Sequence, residues 1–388
     1  MTVCSLLFGN QIPIVITDSL ISDDKHENSY TDTPINFYEN RTGLSMNKIY
    51  YPIGMANKIW KIIYDDKTIY MLYAGSVDSA KEFSKNISTF NYDNLITLIE
   101  SGSFEKNLKD YGLLPNDLAV ILIYLDNNGY ISYWFHNAIY PKAMSDYSIS
   151  IGSGSELFLE KFVNLLKSSF EEKNNLFDAF SELNNKKIPD KEVEINLEGK
   201  ILFSLNLLAN LTEESLQENS KLLSKSCGGL FNIFFLPELY SVKDCVLKNG
   251  CVFTSPICQI FLELKSDKLY LDKLIITSRH EYFESIVSIN KLELLNFDSI
   301  EINKKNIKKY HIQDTYRLSN INNELEAIND MAINHLIIYI HDNQKQCHTV
   351  HSTLDKDGVM SVSSTDKNIK LTFLDRFIEK IFNRFNKE

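Results

Sequence analysis

A threonine stands at position 2, directly after Met1. A threonine hydroxyl is a weak nucleophile and needs a base close by. Once Met1 is removed, the α-amine of Thr2 supplies that base, directly or through one water. Its reference pKa of about 7.7–8.0 lies near the pH at which a general base is most useful. With Met1 attached, the nitrogen is an amide and takes no proton. A small residue after Met1 is common, so Thr2 alone predicts nothing.

The residues that follow Thr2 give it weight. A threonine opens the first apparent strand, an acidic residue ends the second, a lysine begins the third and Ala-Gly ends the fourth: Thr2, Asp18, Lys58 and Ala74-Gly75. Four longer blocks stand in the same order: Asn57–Ile62, Ala74–Ala80, Ile151–Glu156 and Ser226–Gly229. Together these segments resemble the proteasome β-subunit family and its bacterial relatives, which are N-terminal-nucleophile hydrolases. The separation of sixteen positions between Thr2 and Asp18 also matches that family.

The resemblance covers roughly residues 2–236 and implies a fold. We expect an α+β protein whose residues 1–239 form a four-layer αββα sandwich of two antiparallel sheets, with insertions near 22–50 and 171–205. The pattern of strands and helices restarts near Tyr240, which favours an additional α+β C-terminal domain over residues 240–388. A chain of 388 residues is long enough for two such domains.

The resemblance also implies a role for each candidate residue. Lys58 would stabilise negative charge on the Thr2 oxygen and lower the pKa of the amine, and Asp18 would be its counter-charge. The backbone N–H of Gly75 would face the oxyanion of a tetrahedral intermediate, and glycine lets the backbone approach a substrate closely. Ser153 would form a supporting hydrogen bond to the nucleophile.

Each of these residues also has an ordinary structural explanation. Asp18 can be explained as a turn residue at the end of a strand. Lys58 can be explained as a solvated lysine at the start of a strand. Ser153 stands in a Gly-Ser-Gly-Ser stretch, where a serine is more often a turn or cap residue. Their joint occurrence with Thr2 and Gly75 favours a real site.

The activity implied by the resemblance is that of a threonine-type peptidase or amidase that works through an acyl-enzyme. Peptides or unfolded proteins would be its substrates. Members of the family work inside rings, so a homo-oligomer is implied, with an AAA+ ATPase as a partner by analogy alone. A non-proteolytic amidase of the wider class, acting on small amides, is a further alternative.

Two positions depart from the family pattern. The family has an aspartate where this chain has Ser224, and a serine where it has Cys227. Both family residues help to hold the terminal threonine, and a thiol is a weak hydrogen-bonding partner. These departures favour the alternative of a catalytically inactive scaffold or binding module. The polar stretch after Asp18 is longer than in the family, so the sequence predicts no preference for a particular substrate side chain.

Apolar spacing predicts the elements that position these residues. Three hairpins are predicted: Val3–Phe8 with Ile12–Thr17, Lys58–Tyr64 with Thr68–Tyr73, and Ala119–Leu125 with Tyr130–Phe135. Helices are predicted at a Ser79–Glu82 capping box, over Tyr92–Leu108, from Ser155 and around Glu213–Leu223, with a polar excursion over Glu171–Lys200. Later strands are predicted at Leu230–Leu236, Cys258–Leu264, Lys268–Thr277, Leu336–Ile340 and Gly358–Ser363, before an amphipathic helix from Phe373 to Phe385.

Composition bounds the remaining function classes. A formal charge of -11 repels phosphates, so no nucleic-acid partner is expected. No apolar run is long enough for a membrane helix and no secretion signal is visible, so the cytoplasm is the expected location. The six cysteines contain no C-x-x-C pair. Cys347, His348 and His351 come nearest to a ligand cluster, but they are too few, and neither a metal nor a cofactor is expected.

Overall fold

The computed structural model divides the chain into two compact units, Met1–Cys245 and Val246–Glu388. It describes residues 2–9, 13–23, 43–45, 48–65, 67–140, 148–171, 190–216, 227–228 and 231–236 of the first unit. In the second unit it describes residues 257–265, 268–280, 283–289, 307–313, 335–341, 347–354 and 360–364.

Eleven strands are described in the first unit. They are β1 (Cys4–Leu7), β2 (Ile14–Asp18), β3 (Leu20–Asp23), β4 (Gly43–Ser45), β5 (Lys48–Ala56), β6 (Ile59–Tyr64), β7 (Lys67–Ala74), β8 (Ala119–Leu125), β9 (Ile131–His136), β10 (Ser148–Ile151) and β11 (Phe231–Phe235). The described helices are α1 (Val77–Ile87), α2 (Tyr92–Glu100), α3 (Phe104–Asp110), α4 (Ser155–Glu171) and α5 (Asp190–Leu216). The three predicted hairpins are present as β1–β2, β6–β7 and β8–β9.

The strands form two four-stranded antiparallel sheets, in the orders β10-β1-β2-β11 and β6-β7-β8-β9. A shared apolar core joins them, because side chains of both sheets pack into one buried cluster. From the first sheet it includes Leu6 and Val15, and from the second Leu72 and Ile121. Beside these sheets, β3 and β4 each pair with β5.

Helices pack against each of the two four-stranded sheets. Along β7, alternate residues such as Met71 and Tyr73 point away from the shared core, into a second buried cluster with Phe83 of α1 and Leu95 of α2. On the other sheet, α4 packs against β10, and α5 packs against β11 and α4. The ring of Phe203 on α5 meets that of Phe162 on α4 edge to face.

The helix boundaries differ from the predicted ones in three places. First, α1 is capped by Ser76, whose hydroxyl accepts a hydrogen bond from the Ser79 N–H, so the predicted Ser79 capping box is wrong. Second, the predicted helix over Tyr92–Leu108 is two helices, because Gly102 takes a φ of +70° and closes α2. Third, α5 begins at Asp190, inside the predicted polar excursion over Glu171–Lys200.

The third difference has a physical reason. Glu, Lys and Leu are good helix formers, and one glycine at position 199 costs only about 1 kcal/mol. Buried residues such as Leu207 and Leu211 supply the packing that stabilises the longer helix. Residues 217–223 of the helix predicted around Glu213–Leu223 lie outside the described residues, as does most of the polar stretch after Asp23.

The second unit is described as strands. They are β12 (Ile257–Lys265), β13 (Lys268–His280), β14 (Phe283–Ile289), β15 (Ile307–Gln313), β16 (His335–His341), β17 (Cys347–Leu354) and β18 (Met360–Ser364). They pair in the order β18-β17-β16-β12-β13-β14-β15, with β12 parallel to β16 and every other pair antiparallel. The sequence missed β14, β15 and β17, and the helix predicted from Phe373 to Phe385 lies outside the described residues.

None of the described helices has the length and apolar character to cross a membrane. Among the described side chains, no group of three His, Cys, Asp or Glu residues is arranged to hold a metal ion. The Cys347, His348 and His351 of the weak candidate cluster lie on β17.

Candidate functional site

Asp18, at the end of β2, is fully buried and accepts three hydrogen bonds. Its Oδ1 oxygen accepts one from the backbone N–H of Val3 at 2.9 Å and one from the Nζ of Lys58 at 2.7 Å. Its Oδ2 oxygen accepts one from the backbone N–H of Gly228 at 3.0 Å. A buried carboxylate is costly unless it is paired and hydrogen-bonded, and both of these oxygens are.

Lys58 is the cation of this buried pair. It lies directly before β6, and its Nζ also donates to the backbone carbonyl of Leu20 at 2.7 Å. The side chain of Lys58 is 3% exposed and that of Asp18 is 0% exposed. Since Asp18 Oδ1 also accepts from the Val3 N–H, the ammonium group is held against the residue that follows Thr2.

Thr2 is buried two residues before β1, and both its N–H and its carbonyl are bonded by the turn before α4. Its backbone N–H donates to the Oγ of Ser153 at 3.3 Å, and its carbonyl oxygen accepts from the N–H of Gly154 at 3.2 Å. Ser153 itself is exposed. The hydrogen bond from the Thr2 nitrogen to Ser153 is the contact through which an α-amine at this position would be oriented.

Gly152 is a site residue that the sequence identified only as part of a motif. Its φ is +99°, and an added Cβ would lie 2.0 Å from the carbonyl oxygen of Thr2 and 3.2 Å from the Cβ of Ala74. A glycine is therefore required for this turn to approach Thr2. The same contacts place Ala74, and so the start of the Ala74-Gly75 turn, beside Thr2.

Gly75 directly follows β7 and takes a φ of +111°. An added Cβ would lie 2.1 Å from the backbone carbonyl oxygen of Asp117. The predicted reason for glycine was the close approach of a substrate; the structure gives a different one, since both the backbone conformation and the Asp117 carbonyl exclude a side chain. Gly75 is exposed.

Cys227 lies behind Ser153, with its Sγ 3.7 Å from the Ser153 Oγ. The pKa of this thiol is raised to about 12, chiefly by burial and also by the charge of nearby Asp18, while Lys58 opposes the shift. The thiol is therefore neutral near pH 7, and it can support Ser153 only through a weak hydrogen bond. Ser224, the other departure from the family pattern, lies outside the described residues.

Gly228 holds the strand end that carries Asp18, a role that sequence reasoning missed. Besides donating to Asp18 Oδ2, it accepts hydrogen bonds at its carbonyl from the N–H groups of Ser19 at 3.2 Å and Leu20 at 3.0 Å. The Ser226–Gly229 block was the available signal. Its position far along the chain gave no indication that it would meet the end of β2.

The structure thus places two sets of hydrogen bonds side by side: one joins the Thr2 nitrogen to Ser153, and the other joins Lys58 and Asp18 to the N–H of Val3, the residue after Thr2. Gly75 follows Ala74, which lies beside Thr2. A buried ammonium, a carboxylate and a hydroxyl acceptor for the Thr2 nitrogen are chemically suited to activate a terminal hydroxyl.

Comparisons with known proteins place the chain at a distance from them. No protein-family model matches it, and no curated protein does. Among solved structures it is similar to Anbu (ancestral beta-subunit) from Yersinia bercovieri, with 13% sequence identity over 62% of this chain and 85% of that one, at a TM-score of 0.28. A likeness this distant carries no argument about activity, so the functional conclusion depends on the site itself.

Proposed function

We propose that this chain is a threonine-type peptidase that uses Thr2 as its nucleophile after Met1 is removed. The hydroxyl of Thr2 attacks a peptide carbonyl and the α-amine takes up its proton. The resulting ammonium group then passes that proton to the nitrogen of the leaving amine fragment, the C–N bond breaks, and an acyl-enzyme ester forms. Water then hydrolyses the ester and restores the threonine. The carrying observation is the buried pair of Lys58 and Asp18, bonded through Asp18 Oδ1 to the N–H of Val3.

A buried ion pair is weak evidence for stability, because well-packed apolar side chains in its place are often neutral or stabilising. The free-energy cost of burying the two charges is better explained if they take part in catalysis. Here Lys58 lies against the first strand, where a positive charge stabilises the developing alkoxide and lowers the pKa of the Thr2 amine. Asp18 holds Lys58 in place, and Ser153 orients the nitrogen of Thr2.

The fold that suits this function is a four-layer αββα sandwich over residues 1–239, with a separate C-terminal domain over 240–388. Supporting it are the apolar core shared by the two four-stranded sheets and the helices that pack against each of them. By analogy with the family that the sequence resembles, a homo-oligomeric ring would confine hydrolysis to unfolded chains, with an AAA+ ATPase supplying them.

The second candidate is a catalytically inactive scaffold or binding module. The observation that favours it is Cys227, since a buried neutral thiol 3.7 Å from Ser153 supports the hydroxyl weakly. In that case the hydrogen bonds of Asp18 would only hold the end of β2 to the neighbouring segments.

Intact-mass measurement of the purified chain separates these candidates. The peptidase predicts loss of Met1 and covalent modification of Thr2 by an epoxyketone, which needs both the hydroxyl and the free amine. Hydrolysis of fluorogenic peptides should disappear in Thr2→Ala, while the free energy of unfolding changes by less than about 1 kcal/mol. A mature chain that keeps Met1, or one that loses it and remains unmodified by the epoxyketone, supports the scaffold instead.

A further inference from the structure

Asp117, in the loop before β8, contacts both ends of the turn that leads from β7 into α1. At one end, its backbone carbonyl lies against Gly75, at the point where a Cβ would sit. At the other end, its carboxylate accepts a hydrogen bond from the hydroxyl of Ser79, whose Oγ lies 2.9 Å from Oδ1 and 3.1 Å from Oδ2. One residue therefore spans the turn that would carry the oxyanion donor.

The loop that presents Asp117 is itself anchored. The last pair of the β7–β8 ladder is Ala74 with Ala119, so Asp117 lies two residues before a position whose register is fixed. The N–H of Leu118 donates to the carbonyl of Pro115 at 3.3 Å, and the side-chain amide of Asn137 donates to the carbonyl of Leu118 at 3.0 Å. These hydrogen bonds fix the loop relative to β8, so Asp117 contacts the turn from a fixed position.

The turn needs such a contact because glycine does not fix its own conformation. Gly75 has access to both signs of φ, so the direction of its N–H depends on its surroundings. Ser76 caps α1 through the N–H of Ser79, and Asp117 binds the hydroxyl of the same Ser79. A carboxylate near the N-terminus of a helix is also favoured by the helix dipole.

We propose that Asp117 is a positioning residue for the peptidase reaction: by holding Ser79 and backing Gly75, it fixes the direction of the Gly75 N–H toward the oxyanion. This inference rests on the proposed function. Asp117 touches neither substrate nor nucleophile, so its loss should lower kcat while leaving KM nearly unchanged, as expected when a transition-state contact is misdirected.

The kinetic test compares Asp117→Ala, Ser79→Ala and the double variant on a fluorogenic peptide. Each single change should lower kcat about tenfold, with KM within about twofold of wild type. The double variant should be no slower than either single one, because the two side chains act through one hydrogen bond. Asp117→Asn keeps an oxygen acceptor for Ser79 and should recover most of the rate.

Asp78→Ala is the matched control. Asp78 lies in the same first turn of α1, is 93% exposed and is paired only loosely with Lys81 at 3.7 Å. It should leave kcat unchanged. The proposal is overturned if Asp78→Ala slows the reaction as much as Asp117→Ala does, if the two single effects multiply in the double variant, or if Asp117→Asn is as slow as Asp117→Ala.

Amide hydrogen exchange tests the positioning without depending on activity. Exchange at the amides of Ser79 and Ala80 should be about tenfold faster in Asp117→Ala and Ser79→Ala than in wild type, and unchanged in Asp78→Ala. If the wild-type chain hydrolyses no peptide, the proposed function fails by itself, and the exchange rates still decide whether Asp117 fixes this turn. Unchanged exchange in both variants overturns that claim.

Discussion

The Oδ1 oxygen of Asp18 lies 2.7 Å from the Nζ of Lys58, and both side chains are almost wholly withdrawn from solvent. The same oxygen accepts the N–H of Val3, while the other carboxylate oxygen accepts the N–H of Gly228. Three segments that are distant in sequence therefore meet on one carboxylate: the first strand, the start of β6 and the segment before β11. Because so much depends on this group, changes to it should affect both stability and the candidate site.

Asp18→Asn should destabilise the fold by about 3–5 kcal/mol, because it leaves the buried ammonium of Lys58 without its counter-charge. Urea unfolding measures the change. The matched control is Asp93→Asn, which breaks the Lys67–Asp93 pair at a similar 2.8 Å but with side chains 42% and 70% exposed, and should cost less than about 1 kcal/mol. Adding Lys58→Met to Asp18→Asn should recover part of the loss. Equal losses in the two single variants would contradict the structural account.

Gly152→Ala should cost about 3 kcal/mol, since the new methyl group meets the carbonyl of Thr2 and the residue must also keep a left-handed backbone. Gly129→Ala separates these two causes. Gly129 has a φ of +80° but nothing within 4 Å of the added Cβ, so it should lose only about 1 kcal/mol. Chemical denaturation of both variants checks the difference, and similar losses would mean that contact with Thr2 is unimportant.

Cys227→Ser should speed the proposed reaction, because a hydroxyl is a better partner for Ser153 than a neutral thiol is. One net hydrogen bond of about 0.5–1.5 kcal/mol corresponds to a gain of about two- to tenfold in kcat/KM. The volume-matched comparison is Cys227→Ala, which offers Ser153 no partner and should be slower than Cys227→Ser. Rates measured on one fluorogenic peptide decide this, and identical rates for the two variants would remove Cys227 from the support of Ser153.

Lys200→Met should stabilise the fold by about 1–3 kcal/mol at pH 7. Lys200 is 2% exposed in α5, with its Nζ 5.3 Å from the ring centroid of Phe8, and burial lowers its pKa to about 8. Since the folded pKa lies below the unfolded one, the penalty in wild type is full below pH 8 and disappears as pH rises toward 10.5. Urea unfolding should therefore show that Lys200→Met is more stable than wild type at pH 7. The difference in the free energy of unfolding should be much smaller at pH 10. A gain that does not depend on pH would contradict this explanation.

Local patterns in the sequence identified the elements nearest to the candidate site. The β1–β2, β6–β7 and β8–β9 hairpins follow from short apolar runs joined by turn residues, a signal that depends only on neighbours in sequence. The second helix was misjudged because its apolar spacing continues across Gly102, whose positive φ ends α2. The length of α5 was missed because its first turns are polar and its stability comes from packing on α4 and β11.

The sequence by itself determined which residue types stand at Thr2, Asp18, Lys58, Gly75 and Ser153, and their order along the chain predicted that they belong together. The tertiary structure decided which atoms meet. Three contacts join segments that are far apart in sequence. They are the hydrogen bond from the N–H of Gly228 to Asp18, the close approach of Gly152 to the carbonyl of Thr2, and the approach of the Asp117 carbonyl to Gly75. No local propensity encodes such contacts, because each depends on how two independently formed elements are brought together by the packing of the sheets.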